Sequence, residues 1–177
     1  MGRRVVPRLA LAAVCLAALV ACVVNLSFDM DQPGLALQTG VAGPVSQWTL
    51  VDLGTNSDVR AHQSDIQSLD MESVDVTVTS VNTANNLATM LSGTVSLRKV
   101  LDDASTEVKI GDLQAFQAVK NEHRRISGNP ALDAFLLERL HDGGKFYLLI
   151  SGTTDGRTDL VLDVVLHASM GYNTGLF

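Results

Sequence analysis

The stretch MESVDVTVT (Met71–Thr79) decides the predicted fold of this chain. Its valines occur at every second position, so Val74, Val76 and Val78 share one face of an extended strand. The acidic and threonine side chains between them share the opposite face. A strand with one apolar and one polar face covers a core on one side and meets water on the other, which is typical of antiparallel sheets.

Other segments carry strand patterns of the same kind. Lys145–Ser151 is almost entirely apolar, which predicts a central strand, and the long alternating segment Asp159–Ala168 also fits the middle of a sheet. Gly93 predicts a bulge or a close backbone approach in its strand. The remaining predicted strands are Leu35–Val41, Val45–Leu53, Ala88–Leu97 and Val108–Ile110, with a polar turn at Asn82–Asn86 and a hairpin loop at Gly152–Gly156.

Helical signals are fewer. Pro130–His141 has an apolar stripe, with Asn129 as the N-cap and glycines after its end, and it predicts the best helix. Asn56 and Ser57 offer a cap for a short helix from Asp58 to about Gln67. Asp112–Arg125 fits a helical period weakly.

Together these patterns predict a mainly β, or α+β, domain. The expected fold is an antiparallel β-sandwich of about seven strands, with one good helix and one or two short helices covering an open end or face. An immunoglobulin-like topology is the first expectation, and a helix-on-sheet α+β layer is the second. Trp48, the only tryptophan, is expected in the core or at its rim.

Composition narrows the classes of function. The chain has 177 residues, with 19 acidic and 13 basic side chains, and three of the basic ones (Arg3, Arg4 and Arg8) precede residue 22. An acidic domain of this kind argues against nucleic acid as a partner. Both cysteines, Cys15 and Cys22, lie at or before residue 22, which excludes disulfides and thiolate chemistry from the rest of the chain.

The N-terminal stretch has the three parts of an export signal. Its arginines form a positive region, Leu9–Val20 is apolar and uncharged, and small residues precede the expected cleavage site. The segment closes with Leu19-Val20-Ala21-Cys22. These four residues resemble the lipobox of bacterial lipoproteins: an aliphatic residue, a small or β-branched residue, a small residue and then cysteine.

The resemblance implies cleavage before Cys22 and attachment of lipid to its sulfur. It divides the chain into a signal peptide (1–21), a lipidated flexible tether (22–34) and a single β-rich domain (35–177). It also implies a bacterial cell envelope location, with the outer membrane favoured because Val23 is not an acidic retention signal. An uncleaved transmembrane helix and a secretory signal cut at another site are the alternatives.

No segment carries a recognised catalytic motif, a cofactor-binding fingerprint or a metal-ligand spacing. The sequence therefore predicts no enzyme, no cofactor and no metal. One basic cluster stands out in the acidic domain: Lys120, His123, Arg124 and Arg125. It is interpreted either as a contact for phosphate, a peptidoglycan carboxylate or an acidic partner, or as the solvated basic end of a helix.

The function expected from these features is that of a lipid-anchored, non-catalytic binding or scaffolding module of the cell envelope. Its partners are then the membrane, through the lipid on Cys22, and an unidentified envelope protein. Two alternatives stay open: an envelope hydrolase or small-molecule carrier with a pocket between helix and sheet, and a subunit of a larger envelope assembly.

Overall fold

The computed structural model describes residues 23–174. This part of the chain forms eight strands, two α-helices and two single 3₁₀ turns. The strands are β1 (Val23–Thr39), β2 (Gly43–Asp52), β3 (Ile66–Val81), β4 (Met90–Arg98), β5 (Glu107–Gln117), β6 (His123–Ser127), β7 (Lys145–Thr154) and β8 (Thr158–Asn173); the helices are α1 (Ser57–His62) and α2 (Pro130–His141).

The strands form two antiparallel four-stranded sheets. Sheet one has the order β1-β8-β3-β6 and sheet two the order β2-β7-β4-β5. The chain changes sheet at every connection except that between β4 and β5, which is the arrangement of a jelly roll. The predicted antiparallel β-sandwich is confirmed. The immunoglobulin-like first expectation is wrong, because that topology places seven strands in sheets of four and three with a different order.

The core lies between the inner faces of the two sheets. Val74, Val76 and Val78 of β3 are fully buried, as their alternation predicts, and Leu97 and Leu148 of sheet two are buried opposite them in the same apolar cluster. Burying side chains of this size contributes about 1.5–3 kcal/mol each. β7 and β8 both lie inside their sheets, which confirms the central positions predicted for Lys145–Ser151 and Asp159–Ala168.

The predicted tether at residues 22–34 is wrong, because residues 23–34 form the first part of β1. β8 is 16 residues long and pairs with β1 from Val23↔Asn173 to Thr39↔Thr158. Phe28 and Met30 point into the core with the period of a strand. The Pro-Gly pair is a bulge within the strand rather than a hinge: the register shifts between Gln32 and Leu35, and Gly34 has φ 78°.

The predicted helix at Asp112–Arg125 is also wrong. β5 continues to Gln117, and β6 begins at His123. In the β4–β5 register, Leu91 pairs with Phe116 and Gly93 with Leu113, so a bulge places two residues of β5, Gln114 and Ala115, opposite the single residue Ser92 of β4. The bulge gives two buried residues the spacing of a helix within a strand.

The strand predicted at Ala88–Leu97 is present as β4, but it pairs with β5 and β7 and not with β3. The connection predicted as a hairpin at Gly152–Gly156 likewise crosses from sheet two to sheet one, and Gly152 still belongs to β7. Gly93 confirms both expectations for it. It lies at a register shift, and a Cβ there would lie 2.2 Å from the Ser151 carbonyl oxygen.

Helix α2 has the predicted bounds. The Asn129 side chain accepts a hydrogen bond from the Ala131 N–H at 3.0 Å, and Gly143 and Gly144 both have positive φ after the helix. Its apolar residues Leu132 and Leu136 are fully buried. Helix α2 packs on β3, β5 and β7 and so covers one open end of the sandwich.

Helix α1 is shorter than predicted. It ends at His62 because β3 already begins at Ile66, which pairs with Tyr172. The predicted cap is confirmed, since the Asn56 side chain accepts hydrogen bonds from the N–H groups of Asp58 and Val59. Across residues 23–174, no helix has the length and apolar character that crossing a membrane requires.

Candidate functional site

The outer face of sheet one carries a row of charged side chains that crosses all four strands. We call it the ionic row; it consists of Asp29 (β1), His167 (β8), Asp75 (β3), and His123 and Arg125 (β6). His167 Nδ1 lies 2.7 Å from Asp29 Oδ1, and its Nε2 lies 3.1 Å from Asp75 Oδ2. Arg125 donates to Asp75 from Nε at 2.7 Å and from Nη2 at 2.5 Å. His123 Nε2 lies 3.2 Å from Asp75 Oδ1.

Asp75 is the centre of the ionic row. The hydrogen bonds from Arg125 hold the pKa of the Asp75 carboxyl well below its usual range, with further hydrogen bonds from His167 and His123, although its burial acts in the opposite direction. Partial burial lowers the pKa of His167, but the hydrogen bonds to Asp29 and Asp75 outweigh it, and the pKa is raised overall. Both ring nitrogens of His167 face carboxylates, an arrangement that favours the doubly protonated imidazolium.

The ionic row ties strands together rather than forming a catalytic centre. A general base needs a free nitrogen or oxygen that can reach a substrate proton, and both nitrogens of His167 are already engaged. Within residues 23–174, no group of three or more His, Cys, Asp or Glu side chains is placed to hold a metal ion. The chemistry of the row is therefore that of a fixed ion-pair network.

The structure divides the predicted basic cluster. His123 and Arg125 point outward and join the ionic row, whereas Arg124 pairs with Glu122 at 2.7 Å and lies over the Phe116 ring at 5.5 Å. Lys120 is exposed in the β5–β6 loop, where it borders a shallow depression of about 540 Å³. An anion contact at these residues stays a prediction, and three of the four already have carboxylate neighbours.

The outer face of sheet two is different. It carries an apolar strip formed by Trp48 and Leu50 of β2 and by Tyr147 and Leu149 of β7. Trp48 is 49% exposed and Leu50 47% exposed, and Leu149 beneath them is only 5% exposed although it lies outside the core cluster. The Trp48 and Tyr147 rings meet edge to face with centroids 5.6 Å apart. On the outside of the sandwich, the strip therefore combines a buried leucine with an edge-to-face pair of aromatic rings.

The strip arises because β2 carries apolar side chains on both of its faces. Val45 and Val51 face the core side, and Trp48 and Leu50 occupy the exposed positions between them. Trp48 was expected in the core or at its rim, and it lies on the outer face instead. β2 has apolar residues at both odd and even positions, and it is an edge strand of its sheet. This pattern in the sequence indicates an apolar outer face.

Four of the other seven exposed large apolar side chains within residues 23–174 lie in connections between strands, and the remaining three, Val23, Val24 and Met90, lie at the beginnings of β1 and β4. Val41 follows β1, Leu87 precedes β4, Val100 follows β4, and Val119 follows β5. Scattered residues of this kind are ordinary on protein surfaces. In the strip, two large exposed side chains share one face with an aromatic ring and a buried leucine. This continuity makes the strip the best candidate for a binding surface.

The interior leaves little room for a ligand. Helix α2 seals its end of the sandwich with buried side chains, and a space between the sheets beside Leu37, Leu91 and Phe116 has a volume of about 10 Å³. A single water molecule needs about that much space. At α2 itself, Leu132 and Leu136 are fully buried, so these side chains give no support to the expected pocket between helix and sheet. Cys22, the predicted lipid attachment site, lies outside the described residues, and its lipidation stays a prediction.

No protein-family model matches this chain, and a search of curated proteins finds no match either. Three solved structures have a similar arrangement at very low sequence identity. The decameric BFDV capsid protein is 7% identical with a TM-score of 0.43 and covers 84% of this chain and 99% of its own. Desmodium yellow mottle tymovirus is 10% identical with a TM-score of 0.41 over 86% of this chain and 89% of its own. Turnip yellow mosaic virus is 11% identical with a TM-score of 0.36 over 87% and 97%.

These similarities concern the fold alone. The matched structures are from viruses and include a capsid protein, and these three contain no bacterial envelope protein. The expectation of a lipid-anchored binding or scaffolding module of the envelope is contradicted by this finding. The two alternatives were placed in the same envelope, and the expectation that the chain is not an enzyme stays a prediction.

Proposed function

We propose that this chain is a structural subunit of a protein assembly, and that it makes its assembly contact with the apolar strip on the outer face of sheet two. The observation that carries the proposal is the strip itself. Trp48 and Leu50 lie about half exposed on a regular sheet, over a buried leucine that does not belong to the core. Aromatic anchors above a desolvated floor are the usual centre of a protein interface.

The rest of the molecule supports a structural role. The two sheets enclose a single apolar core, and the ionic row joins four strands on the opposite face. In the ionic row, both nitrogens of His167 and both carboxylate oxygens of Asp75 are bonded to other members of the row, which supports a role in holding the strands together. A rigid sandwich with one apolar outer strip is suited to contact with another protein, and fold-level analogy adds nothing to that argument.

The proposal is tested by the mass of the chain in gently lysed cells of its source, resolved by native gel electrophoresis and detected with an antibody. We expect the chain to migrate in a complex several times larger than its own 18.9 kDa. We expect the doubly substituted Trp48→Ser/Leu50→Ser chain to migrate as the free subunit.

The matched control is Val41→Ser/Val119→Ser, which removes two comparably exposed apolar side chains from loops. It should leave the large complex intact. Migration of the unaltered chain as a single subunit would overturn the proposal, and so would equal loss of the complex in the control.

A further inference from the structure

We infer that the partner at the apolar strip is a second copy of this chain, related to the first by a two-fold axis. The inference rests on the proposed function and names the occupant of that same surface. It is argued from the cross-strand order of side chains on sheet two and from the distribution of charge over the domain.

Two neighbouring rows of outward side chains cross sheet two. One row pairs Leu50 with Tyr147, Tyr147 with Arg98, and Arg98 with Glu107. The next row pairs Trp48 with Leu149, Leu149 with Ser96, and Ser96 with Lys109. Each row is therefore apolar on β2 and β7 and polar or charged on β4 and β5.

The first row of one copy can face the second row of another copy, with complementary side chains opposite each other. A two-fold axis that runs across the strands between the two rows places the first row of one copy against the second row of the other. Leu50 then meets Trp48 of the second copy, and Tyr147 meets its Leu149. At the far side Glu107 meets Lys109, so the one charge contact between the rows joins opposite signs. The same contacts occur twice, as a two-fold interface requires.

The charge of the domain favours this face for contact between identical copies. Residues 23–174 hold all 19 acidic side chains but only ten of the 13 basic ones, because Arg3, Arg4 and Arg8 lie earlier, and the domain has a net charge of −9. Two copies therefore repel each other over most of their surface. On sheet two the charges around the strip are balanced locally: Arg98 pairs with Glu107 at 2.6 Å, Lys109 with Asp112 at 2.6 Å, and Lys145 with Asp52 at 3.6 Å.

The balance also argues against a strongly charged partner. A basic protein would gain little at a face whose acidic groups already have basic neighbours, and it would find more acidic surface elsewhere. A second copy requires only apolar contact and one reciprocal pair of opposite charges on each side. The strip offers the apolar contact, and Glu107 and Lys109 on β5 offer the charge pair.

The experiment measures the mass of the purified full chain by sedimentation equilibrium. A neutrally buoyant mild detergent is present in every sample, so that the apolar residues 9–20 do not themselves cause association. We expect the unaltered chain to be a dimer at about 100 µM, Leu50→Glu to be a monomer, and the control Val41→Ser/Val119→Ser to be a dimer. Circular dichroism of each variant checks that the sandwich has folded.

A mixing experiment tests the predicted register. Leu50→Glu and Trp48→Lys should each be monomeric alone, because each places a charge against an apolar side chain of the second copy twice. Mixed in equal amounts, they should form a heterodimer with one native contact and one Glu–Lys pair. A mixture of Leu50→Glu and Leu50→Lys should not, because these two positions do not face each other across the axis.

The outcomes separate this inference from the proposed function. A monomeric unaltered chain, or a folded Leu50→Glu chain that still dimerises, overturns the inference. If the same chain nevertheless migrates in a large complex in cell lysates, the proposed function stands and the partner is a different protein. Failure of the heterodimer to form while the unaltered chain dimerises overturns the two-fold register.

Discussion

The outer faces of the two sheets have the same strand architecture and opposite character. On sheet one, the ionic row links β1, β8, β3 and β6 through carboxylate, imidazole and guanidinium groups. On sheet two, the strands β7 and β4 approach closely at Gly93 and Gly152, and the apolar strip lies farther along β2 and β7. The charged groups of the ionic row are bonded within the domain, whereas the apolar strip leaves large side chains exposed. Alternation along a strand determines which side chains face outward. The neighbours of those side chains on other strands determine whether they are bonded within the domain or left exposed to a partner.

The close approach in sheet two gives the largest expected effect. A Cβ at residue 93 would lie 2.2 Å from the Ser151 carbonyl oxygen and 2.7 Å from the Gly152 Cα, and both are backbone atoms. Gly93→Ala must therefore push β4 away from β7. We expect it to lower the free energy of unfolding by about 3 kcal/mol, at the upper end of overpacking effects. Urea denaturation followed by circular dichroism measures the change.

Gly40→Ala is the matched control for this substitution. Residue 40 lies in the β1–β2 turn, and a Cβ there meets no atom within 4 Å. It should leave stability unchanged or raise it by about 0.5 kcal/mol, because alanine restricts the unfolded chain. Equal stability of the two variants would show that sheet two tolerates a wider β4–β7 spacing.

The centre of the ionic row gives the next effect. Asp75→Ala removes the shared partner of Arg125, His167 and His123 and leaves all three side chains without it. We expect a loss of about 2 kcal/mol in the free energy of unfolding, since Asp75 is mostly buried and Arg125 is largely exposed. Asp112→Ala breaks the exposed pair with Lys109 and should cost less than about 0.5 kcal/mol. Comparable losses for both variants would reduce the ionic row to ordinary surface charge.

The contrast between the faces also shows what the sequence could predict. The alternation in Met71–Thr79 places Asp75 on the outer face, and the structure confirms it. The alternation could not identify Asp29, His167 or Arg125 as neighbours of Asp75, because these residues belong to strands that are distant in the sequence. Their adjacency depends on the strand order of the jelly roll, and alternation within single strands carries no information about that order.

Irregularities within strands explain the wrong predictions. The Pro-Gly pair after Gln32 is typical of a turn, yet in β1 it forms a bulge within a strand that β8 supports on both sides of it. The bulge opposite Gly93 gave Leu113 and Phe116 a helical spacing. Helix α2 was predicted correctly because its cap, its apolar stripe and its terminal glycines are all local signals.

The apolar strip was missed for a related reason. Trp48 was expected in the core or at its rim, because a large apolar side chain in a strand is usually buried there. The face on which Trp48 and Leu50 lie depends on register with β7, where Trp48 pairs with Leu149. The sequence alone does not contain that register, although apolar residues at both parities of β2 were visible.

Titration of His167 gives a smaller effect with a defined sign. Its pKa is raised in the folded chain, because the hydrogen bonds to Asp29 and Asp75 outweigh the effect of burial. A group with a raised folded pKa stabilises fully below its unfolded value, about 6.5 for histidine, and loses that contribution as pH rises through the folded value. The low folded pKa of Asp75 acts oppositely: its contribution is present above about pH 4 and is lost on further acidification.

We therefore expect His167→Gln to be less stable than the unaltered chain by about 1 kcal/mol at pH 5.5, and nearly equal to it at pH 9. The free energy of unfolding in urea at the two pH values measures the difference. His123→Gln, which alters the other histidine beside Asp75, controls for a general effect of removing a ring. A His167→Gln deficit that stayed constant between the two pH values would contradict the charged form of His167.

The smallest effect on folding belongs to the apolar strip. Leu50→Ser removes a side chain that is already half exposed, so we expect the free energy of unfolding of the monomer at low protein concentration to change by less than about 0.5 kcal/mol. Leu148→Ala, on the neighbouring strand but facing the core, should cost about 3 kcal/mol. The strip differs from the core in one further respect: its contribution depends on protein concentration. The melting temperature of the unaltered chain should rise with concentration, and that of Leu50→Ser should not, because only association couples the strip to stability. A melting temperature independent of concentration in both chains would mean that the strip has no partner among copies of this chain.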